Sequence, residues 1–316
     1  MQALRQACAA VAARAKYVAV AADAIPQYAA ALPLPGRAEG PNGPAPGPGG
    51  PQDAPPPAGA DRERLAAFWL TLDAVNFGSG WFPTLRKRPG LSGYNTVAAA
   101  LRDRFNAAGP WSATELTEIT APEIAGLLGQ DPGHELMALF ATSLNDLGRR
   151  VAGGHQGEFA AVADAAGGSA VALATALGAW DCFADCSAYD GLEIPFLKRA
   201  QIAAADLHRA GVTRFADLGG LTMFADNLVP HVLRLDGVLR FDADLVARID
   251  REELIPHDSP EEIEIRACAV HAVELISAAA GVEGVTAAEI DQVLWERGQQ
   301  SVYKASPRHR SRCTAY

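Results

Sequence analysis

Hydrophobic positions along this chain recur mainly at intervals of three and four residues, the spacing that puts side chains on one face of an α-helix. The clearest instance lies in residues 62–76, where the apolar positions are Leu65, Phe68, Trp69, Leu72 and Val75. The same spacing predicts helices at residues 96–105, 135–151, 196–210, 224–239, 261–280 and 286–297. Because the apolar–polar alternation of strands is scarce, we predict an all-α fold.

Residues 33–60 interrupt this pattern with ten of the 21 prolines and seven of the 30 glycines. Such a composition neither continues a helix nor supplies a core, so it predicts a flexible or disordered insertion. The Ala-rich residues 1–32 keep helical spacing and are predicted to pack back on the main body. We therefore predict an N-terminal helical segment at 1–32, an insertion at 33–60, and one helical catalytic domain at 61–316.

The composition is that of a soluble globular protein: 316 residues, 49% hydrophobic and 20% charged. Three basic residues interrupt the apolar start of the chain, Arg5, Arg14 and Lys16, so no export signal is expected. The uncharged run at 165–180 is rich in alanine and glycine and is too short to cross a bilayer. We predict a cytoplasmic protein with no membrane partner.

The net charge of −10 argues against stable binding to long nucleic acid, which requires many phosphate contacts. A small-molecule partner is therefore expected. The five cysteines and seven histidines are dispersed, and Cys182 and Cys186 have no second pair to complete a zinc site. Because no phosphate-binding glycine motif is present either, we predict neither a metal nor a cofactor.

Residues 73–89 combine aromatic, glycine and basic residues in a way that a packed core rarely requires. Phe77 and Trp81 offer ring faces to a flat ligand, and Gly78 allows the backbone to approach it closely. The basic run at 86–88 supplies cations for a charged end of that ligand. The segment therefore indicates a binding pocket.

Lys198 and Asp226 are the two charged residues whose surroundings stand out. Lys198 falls in the first turn of a predicted helix, where a cation opposes the helix dipole unless it has an anionic partner. The common alternative is a solvated surface lysine. Asp226 lies in an apolar stretch, where a carboxylate is costly unless it is paired or functional. Its alternative is a helix cap.

Asp291 and Trp295 share one face of a predicted helix at i,i+4 spacing. One interpretation is an aromatic residue on the core beside an exposed acid. The other is a carboxylate that accepts N–H groups from a guanine-like edge while the indole stacks beside the base. The basic tail at 307–316 likewise has two interpretations, a frayed terminus or a segment that meets a phosphate.

Several segments resemble, in order, the motifs of the queuosine salvage family, the queuosine 5′-phosphate N-glycosylase/hydrolases. They are residues 72–93 (LDAVNFGSGWFPTLRKRPGLSG), 195–206 (PFLKRAQIAAAD), 221–238 (LTMFADNLVPHVLRLDGV), 261–274 (EEIEIRACAVHAVE) and the tail 309–316. The chain departs from the family where Leu197 replaces a common aromatic residue and where 33–60 is inserted. The resemblance implies one helical domain similar to helix-hairpin-helix DNA glycosylases.

By this resemblance Asp226 matches the catalytic aspartate and Lys198 the active-site lysine. The implied reaction is hydrolysis of the bond between the 7-deazaguanine base queuine and ribose 5′-phosphate. An ionised carboxylate would stabilise the positive charge that builds on the sugar, or would attack the sugar as a nucleophile, and the sequence does not separate these two roles. Lys198 would keep Asp226 ionised and help to bind the phosphate. The expected binding residues are Phe77, Trp81 and Trp295 for stacking and Asp291 for the base edge.

Two alternatives to this hydrolase remain. A non-catalytic module that binds a deazaguanine nucleotide would use the same pocket residues, with Asp226 as a structural cap. A DNA glycosylase acting on a flipped base would share the fold but needs a basic face, which the acidic composition disfavours. The sequence leaves open the oligomeric state and the choice between nucleoside and 5′-monophosphate.

Overall fold

The computed structural model describes residues 1–34, 59–282 and 284–316. Residues 35–58, most of the predicted insertion, lie outside the described residues. The α-helices of the described part are α1 Gln2–Ala12, α2 Ile25–Ala31, α3 Arg62–Ala74, α4 Gly93–Ala108, α5 Ala113–Glu118, α6 Ala121–Leu128, α7 Glu135–Gly154, α8 Phe159–Asp164, α9 Ala170–Gly178, α10 Lys198–Arg209, α11 Leu228–Leu235, α12 Ala243–Asp250, α13 Pro260–Ala279, α14 Ala287–Arg297 and α15 Ser301–Lys304.

Strands are few and short in the described residues, so the all-α prediction is confirmed. Strand β1 (Val18–Val20) pairs with β4 (Leu239–Phe241), and β2 (Cys186–Tyr189) pairs with β3 (Leu192–Pro195). Both pairs are antiparallel. None of the helices in the described ranges is both long enough and apolar enough to cross a membrane.

The predicted helix at 224–239 differs most from the structure, because α11 covers only its middle. The helix begins at Leu228, where the Asp226 side chain accepts hydrogen bonds from the first helical amides. It ends before Gly237, whose φ of 79° lies in the left-handed region that glycine adopts easily. Local backbone chemistry therefore sets the helix ends inside a longer hydrophobic pattern.

The chain forms two compact units, each built from separate stretches of sequence. The described residues of unit 1 are 1–34, 186–196, 219–282 and 284–312, and those of unit 2 are 59–185, 197–218 and 313–316. The predicted boundary at residue 61 and the single domain at 61–316 stay predictions.

Unit 1 is organised around the long helix α13, against which α1, α2, α11 and α14 pack. Apolar residues of α1, among them Leu4, Cys8 and Val11, are fully buried in this core. The fully buried Arg266 of α13 places its guanidinium 4.0 Å from the centre of the Phe196 ring. The N-terminal helices are thus part of the core of unit 1.

Glu264 of α13 is a buried carboxylate that fixes the chain before β1. Its Oε2 atom accepts hydrogen bonds from the backbone amides of Lys16 (2.9 Å), Tyr17 (2.6 Å) and Val18 (3.0 Å). Its Oε1 atom accepts a hydrogen bond from the Tyr189 hydroxyl at 2.7 Å. Because all of these donors suit a charged acceptor, the carboxylate is tolerated at full burial.

In unit 2 the helices α5 and α7 pack so closely that α7 requires glycine at position 148. Helix α7 contacts α5 and α6, while α3 and α9 pack on α10. A Cβ atom at Gly148 of α7 would lie 2.6 Å from the Ala113 carbonyl oxygen and 2.7 Å from the Thr117 amide nitrogen. Side chains at this position would therefore force α5 away from α7.

Replacing Glu264 by Gln is expected to lower the unfolding free energy by about 2–4 kcal/mol. The amide keeps the shape of the side chain but removes the charge that three backbone amides and one hydroxyl now bind. Urea denaturation followed by circular dichroism measures the loss. Glu193→Gln, at an exposed position of β3, is the matched control and should behave as wild type. Equal stability of the two variants would contradict this account.

Candidate active site

Asp226 is the half-buried member of an otherwise buried segment, residues 221–233 of unit 1. Its Oδ1 atom accepts hydrogen bonds from the amides of Leu228 (2.8 Å) and Val229 (3.1 Å), the first residues of α11. These bonds fix the side chain at the start of the helix. No hydrogen bond to Oδ2 is found in the described part of the chain. The helix-capping alternative is therefore observed, and the same side chain retains a second oxygen.

The backbone on the N-terminal side of Asp226 is held by two buried charged residues. The amide of Phe224 donates a hydrogen bond to Asp291 Oδ1 at 3.0 Å. The carbonyl of Ala225 accepts one from Arg266 Nε at 2.9 Å. With α11 on its other side, Asp226 is fixed at both ends, so its carboxylate is oriented without a ligand.

Asp291 and Trp295 take up packing positions in unit 1. The carboxylate of Asp291 is buried and bonded to the Phe224 amide. Trp295 is half-buried against the hydrophobic core. Their predicted roles at the base edge and as a stacking surface stay predictions. The observed contact gives Asp291 a definite structural role, which is to support the segment that carries Asp226.

The tail before residue 312 is packed on unit 1, so the frayed-terminus alternative is wrong for it. Asn227 Nδ2 donates a hydrogen bond to the His309 carbonyl at 3.1 Å, and Arg234 donates one to the Pro307 carbonyl at 3.1 Å. His309 is buried, and burial lowers its pKa to about 3. Its ring is therefore neutral near pH 7, and Arg308 is the cation between the two anchored carbonyls.

Lys198, the first residue of α10 in unit 2, is buried, so the alternative of a solvated surface lysine is wrong. Its Nζ donates hydrogen bonds to the carbonyl oxygen (3.0 Å) and the side-chain Oδ1 (3.1 Å) of Asn76. Its backbone amide donates to Asp185 Oδ2 at 2.9 Å. Asn76 therefore holds the ammonium group with two neutral oxygens.

A pair of buried acids near Lys198 was not predicted. Asp73 of α3 and Asp206 of α10 are both almost fully buried. Arg209 pairs with Asp206 at 2.9 Å. Burial raises the pKa of Asp73 well above its usual value, the charge of Asp206 raises it further, and Lys198 opposes both. Asp73 therefore holds a proton more readily than an exposed aspartate does.

A signal for this pair exists in the sequence, because each acid follows a buried apolar residue by four positions. Asp73 follows Trp69, and Asp206 follows Ile202. An acid on the apolar face of a helix is costly unless it is paired. Only the packing of α3 on α10 brings the two acids together, so the pattern of either helix alone does not reveal the pair.

The predicted stacking residues Phe77 and Trp81 are buried within unit 2. The Phe77 ring meets the edge of Phe140 with centroids 5.0 Å apart, and the guanidinium of Arg199 lies 5.0 Å from its centre. Trp81 Nε1 donates a hydrogen bond to Glu135 Oε2 at 2.7 Å. Both rings have packing roles, and stacking on a ligand stays a prediction for them.

The structure divides the predicted site residues between the two units. Unit 1 contains Asp226, Asp291 and Trp295, and unit 2 contains Lys198, Phe77 and Trp81. Within unit 1, Asp291 is connected to the Asp226 segment through the Phe224 amide. Within unit 2, Lys198 is bonded to Asn76, the residue before Phe77.

Three groups of unit 1 have the donor types of a metal site, and their ligand atoms lie within 4.8 Å of one another: His257, Asp258 and Glu262. Asp258 accepts a hydrogen bond from the Ser187 hydroxyl at 2.6 Å. Glu262 lies 3.7 Å from Arg266. Since both carboxylates already have protein partners, the cluster is explained as a polar network.

Comparison with known proteins matches residues 56–316 to the family described as queuosine salvage protein. A relative from Sphaerobacter thermophilus is 37% identical over 266 residues, covering 81% of this chain and 82% of the relative. One from Nematostella vectensis is 32% identical, covering 78% and 81%, and one from Mus musculus is 27% identical, covering 82% and 84%. All three are named queuosine 5′-phosphate N-glycosylase/hydrolase.

Replacing Asp73 by Asn should change how stability depends on pH. The folded wild type retains a proton on Asp73 that the unfolded chain releases near its usual pKa of 3.8. The wild type therefore loses stability as pH rises from that value through the raised pKa. Asp73→Asn lacks this loss, so its unfolding free energy relative to wild type should rise with pH. Urea denaturation at a series of pH values measures it.

Asp103→Asn is the matched control in the same unit, because Asp103 is exposed and forms an ion pair with Arg88. The pH dependence of its stability should parallel that of wild type, because the substitution leaves the buried Asp73 and Asp206 unchanged. A curve for Asp73→Asn that also parallels wild type would show that Asp73 is ionised in the folded protein.

Proposed function

Because the chain belongs to the queuosine salvage protein family, we propose that it hydrolyses the N-glycosidic bond of queuosine 5′-monophosphate and releases queuine. The observation that carries this proposal is the half-buried carboxylate of Asp226, oriented by the first amides of α11 within a buried segment. The substrate is a small nucleotide, which agrees with the acidic net charge of the chain.

Asp226 acts on the sugar in this proposal. As the bond between C1′ and the base nitrogen breaks, its electron pair leaves with the base and positive charge builds on C1′ and the ring oxygen. The ionised carboxylate stabilises that charge, and the oxygen of a water molecule then bonds to C1′. One proton of this water is transferred to the departing base and neutralises its negative charge. The products are queuine and ribose 5-phosphate.

The base gives less help than a purine does, because a 7-deazaguanine has a carbon atom in place of N7. Protonation at that position is therefore not available to make the base a better leaving group. More of the barrier must be lowered at the sugar. A carboxylate that is oriented before the substrate binds has this effect, since no reorganisation is needed during the reaction.

Lys198 supplies the positive charge in our proposal. Its buried ammonium donates two hydrogen bonds to Asn76, and these bonds orient the group. An ammonium positioned in this way attracts an anion. We assign Lys198 a catalytic role, Phe77, Trp81 and Trp295 the role of stacking on the base, and Asp291 that of binding the base edge.

The binding module is the second candidate, and the capping bonds of Asp226 favour it because they give that residue a purely structural reason to be present. It predicts stoichiometric binding of the nucleotide without release of the base. A DNA glycosylase would instead bind duplex DNA tightly and with strong salt dependence. Assay of purified protein with queuosine 5′-monophosphate, followed by chromatography of free queuine, separates these outcomes.

Asp226→Asn is expected to lower the rate of queuine release at least about 1,000-fold, because an amide cannot stabilise positive charge on the sugar. The amide oxygen can still accept the bonds from Leu228 and Val229. The fold and much of the nucleotide affinity should therefore persist. Single-turnover kinetics and calorimetric titration measure the two effects.

Asp242→Asn provides a matched control, since Asp242 also caps a helix by accepting hydrogen bonds from Asp244 and Leu245 at the start of α12. The two variants should lose similar stability, while only Asp226→Asn should lose activity. Normal turnover by Asp226→Asn would remove this residue from the mechanism.

Lys198→Met is expected to lower kcat/KM for queuosine 5′-monophosphate about 100-fold, because it removes a buried charge and keeps the length of the side chain. Lys304→Met, at an exposed position of α15, should leave the kinetics unchanged. Circular dichroism tests whether Lys198→Met is folded. Wild-type kinetics in a folded Lys198→Met would exclude the lysine from the active site.

A further inference from the structure

We propose that Arg308 binds the 5′-phosphate of the nucleotide and thereby makes the enzyme prefer the 5′-monophosphate over the free nucleoside. This inference rests on the proposed function, because it assigns the phosphate of that substrate to a cation near Asp226. It gives one residue of the basic tail a role in specificity.

The backbone of Arg308 is fixed on both sides against helix α11. The preceding carbonyl, of Pro307, accepts a hydrogen bond from Arg234 at 3.1 Å. The following carbonyl, of His309, accepts one from Asn227 Nδ2 at 3.1 Å. Because Asn227 is the residue after Asp226, the His309 carbonyl lies near the end of α11 that carries the carboxylate.

The side chain of Arg308 is half-buried and interacts electrostatically with Asp226. Burial lowers the pKa of Arg308, and the negative charge of Asp226 acts in the opposite direction. Its guanidinium makes no hydrogen bond or ion pair with any residue that the structure describes. A partly desolvated cation of this kind is costly by itself and is stabilised when an anion binds.

The neighbouring Arg310 shows the contrast. Its guanidinium forms an ion pair with Glu252 at 2.6 Å, and its carbonyl accepts a hydrogen bond from the amide of Ile255 at 2.9 Å. Arg310 is therefore engaged by the protein, whereas the five N–H donors of Arg308 have no acceptor among the described residues and can bind a ligand.

The chemistry of the substrate explains why a cation belongs near the carboxylate. The ring oxygen of the ribose borders C1′, and the phosphate-bearing C5′ is two bonds from that oxygen. A carboxylate at C1′ and a cation close to it therefore match the two charged regions of one ribose 5′-phosphate. The planar guanidinium suits this role, because it can donate two parallel hydrogen bonds to phosphate oxygens.

A different role for Arg308 would be to hold Asp226 ionised without touching the substrate. In that role its loss would slow the cleavage of every substrate, whether or not it carries a phosphate. A phosphate-binding role affects only the phosphorylated substrate. The ratio of the two activities therefore separates the roles.

The test compares kcat/KM for queuosine 5′-monophosphate and for queuosine in wild type, Arg308→Gln and Arg310→Gln. We expect Arg308→Gln to lower the value for the monophosphate about 10- to 100-fold, chiefly through KM. Its value for the nucleoside should stay within about twofold of wild type. Arg310→Gln should match wild type on both compounds. Inorganic phosphate should inhibit nucleoside cleavage less in Arg308→Gln than in wild type.

Arg308→Lys keeps the positive charge but removes the planar guanidinium, which donates two parallel hydrogen bonds. Its kcat/KM for the monophosphate should therefore lie between the values of wild type and Arg308→Gln. It also provides a folded variant if Arg308→Gln does not fold. Equal losses on both substrates, or no loss on either, would overturn the phosphate-binding role.

Failure of the proposed function has a separate signature, which is that wild type releases no base from either compound. In that case calorimetric titration measures the affinity of each variant for the monophosphate and for the nucleoside. The ratio of these two affinities then tests the role of Arg308. A wild-type preference for the monophosphate that is lost in Arg308→Gln supports the inference. An unchanged preference overturns it.

Discussion

The hydrogen bonds from the first amides of α11 to one oxygen of Asp226 are the constraint on which the proposed chemistry depends. They fix the carboxylate relative to a helix and leave its second oxygen for another task. The bonds of Phe224 to Asp291 and of Ala225 to Arg266 fix the approaching backbone. A residue held in this way is oriented before substrate binds, so the structural cap and the reactive group need not be alternatives.

Hydrophobic spacing predicts most of the helical fold because burial of an apolar face is what stabilises these helices. The predicted helix at 261–280 corresponds closely to α13, and that at 62–76 to α3. The prediction at 224–239 is too long, because the side chain of Asp226 and the turn at Gly237 set the ends of α11. Hydrophobic periodicity carries no information about such caps.

The candidate site is predictable where one residue conflicts with its neighbours in sequence. Asp226 is such a residue, a carboxylate in an apolar stretch. For Lys198 the helix dipole left a solvated surface position open, because its hydrogen bond with Asn76 joins residues 122 positions apart. The pair of Asp73 and Asp206 likewise exists only after α3 packs on α10. Contacts between distant segments therefore account for what the sequence does not reveal.

The chain passes between the two units after Asp185, Phe196, Leu218 and Arg312, so neither unit is a continuous stretch. The hydrogen bond from the Lys16 amide to Glu264 joins residues 248 positions apart. At ribosomal speeds, on the order of tens of seconds separate the synthesis of its two ends. During that interval the apolar face of α1 lacks the helix that finally covers it. The nascent chain is therefore exposed to aggregation, and to chaperone binding, until α13 has left the ribosome.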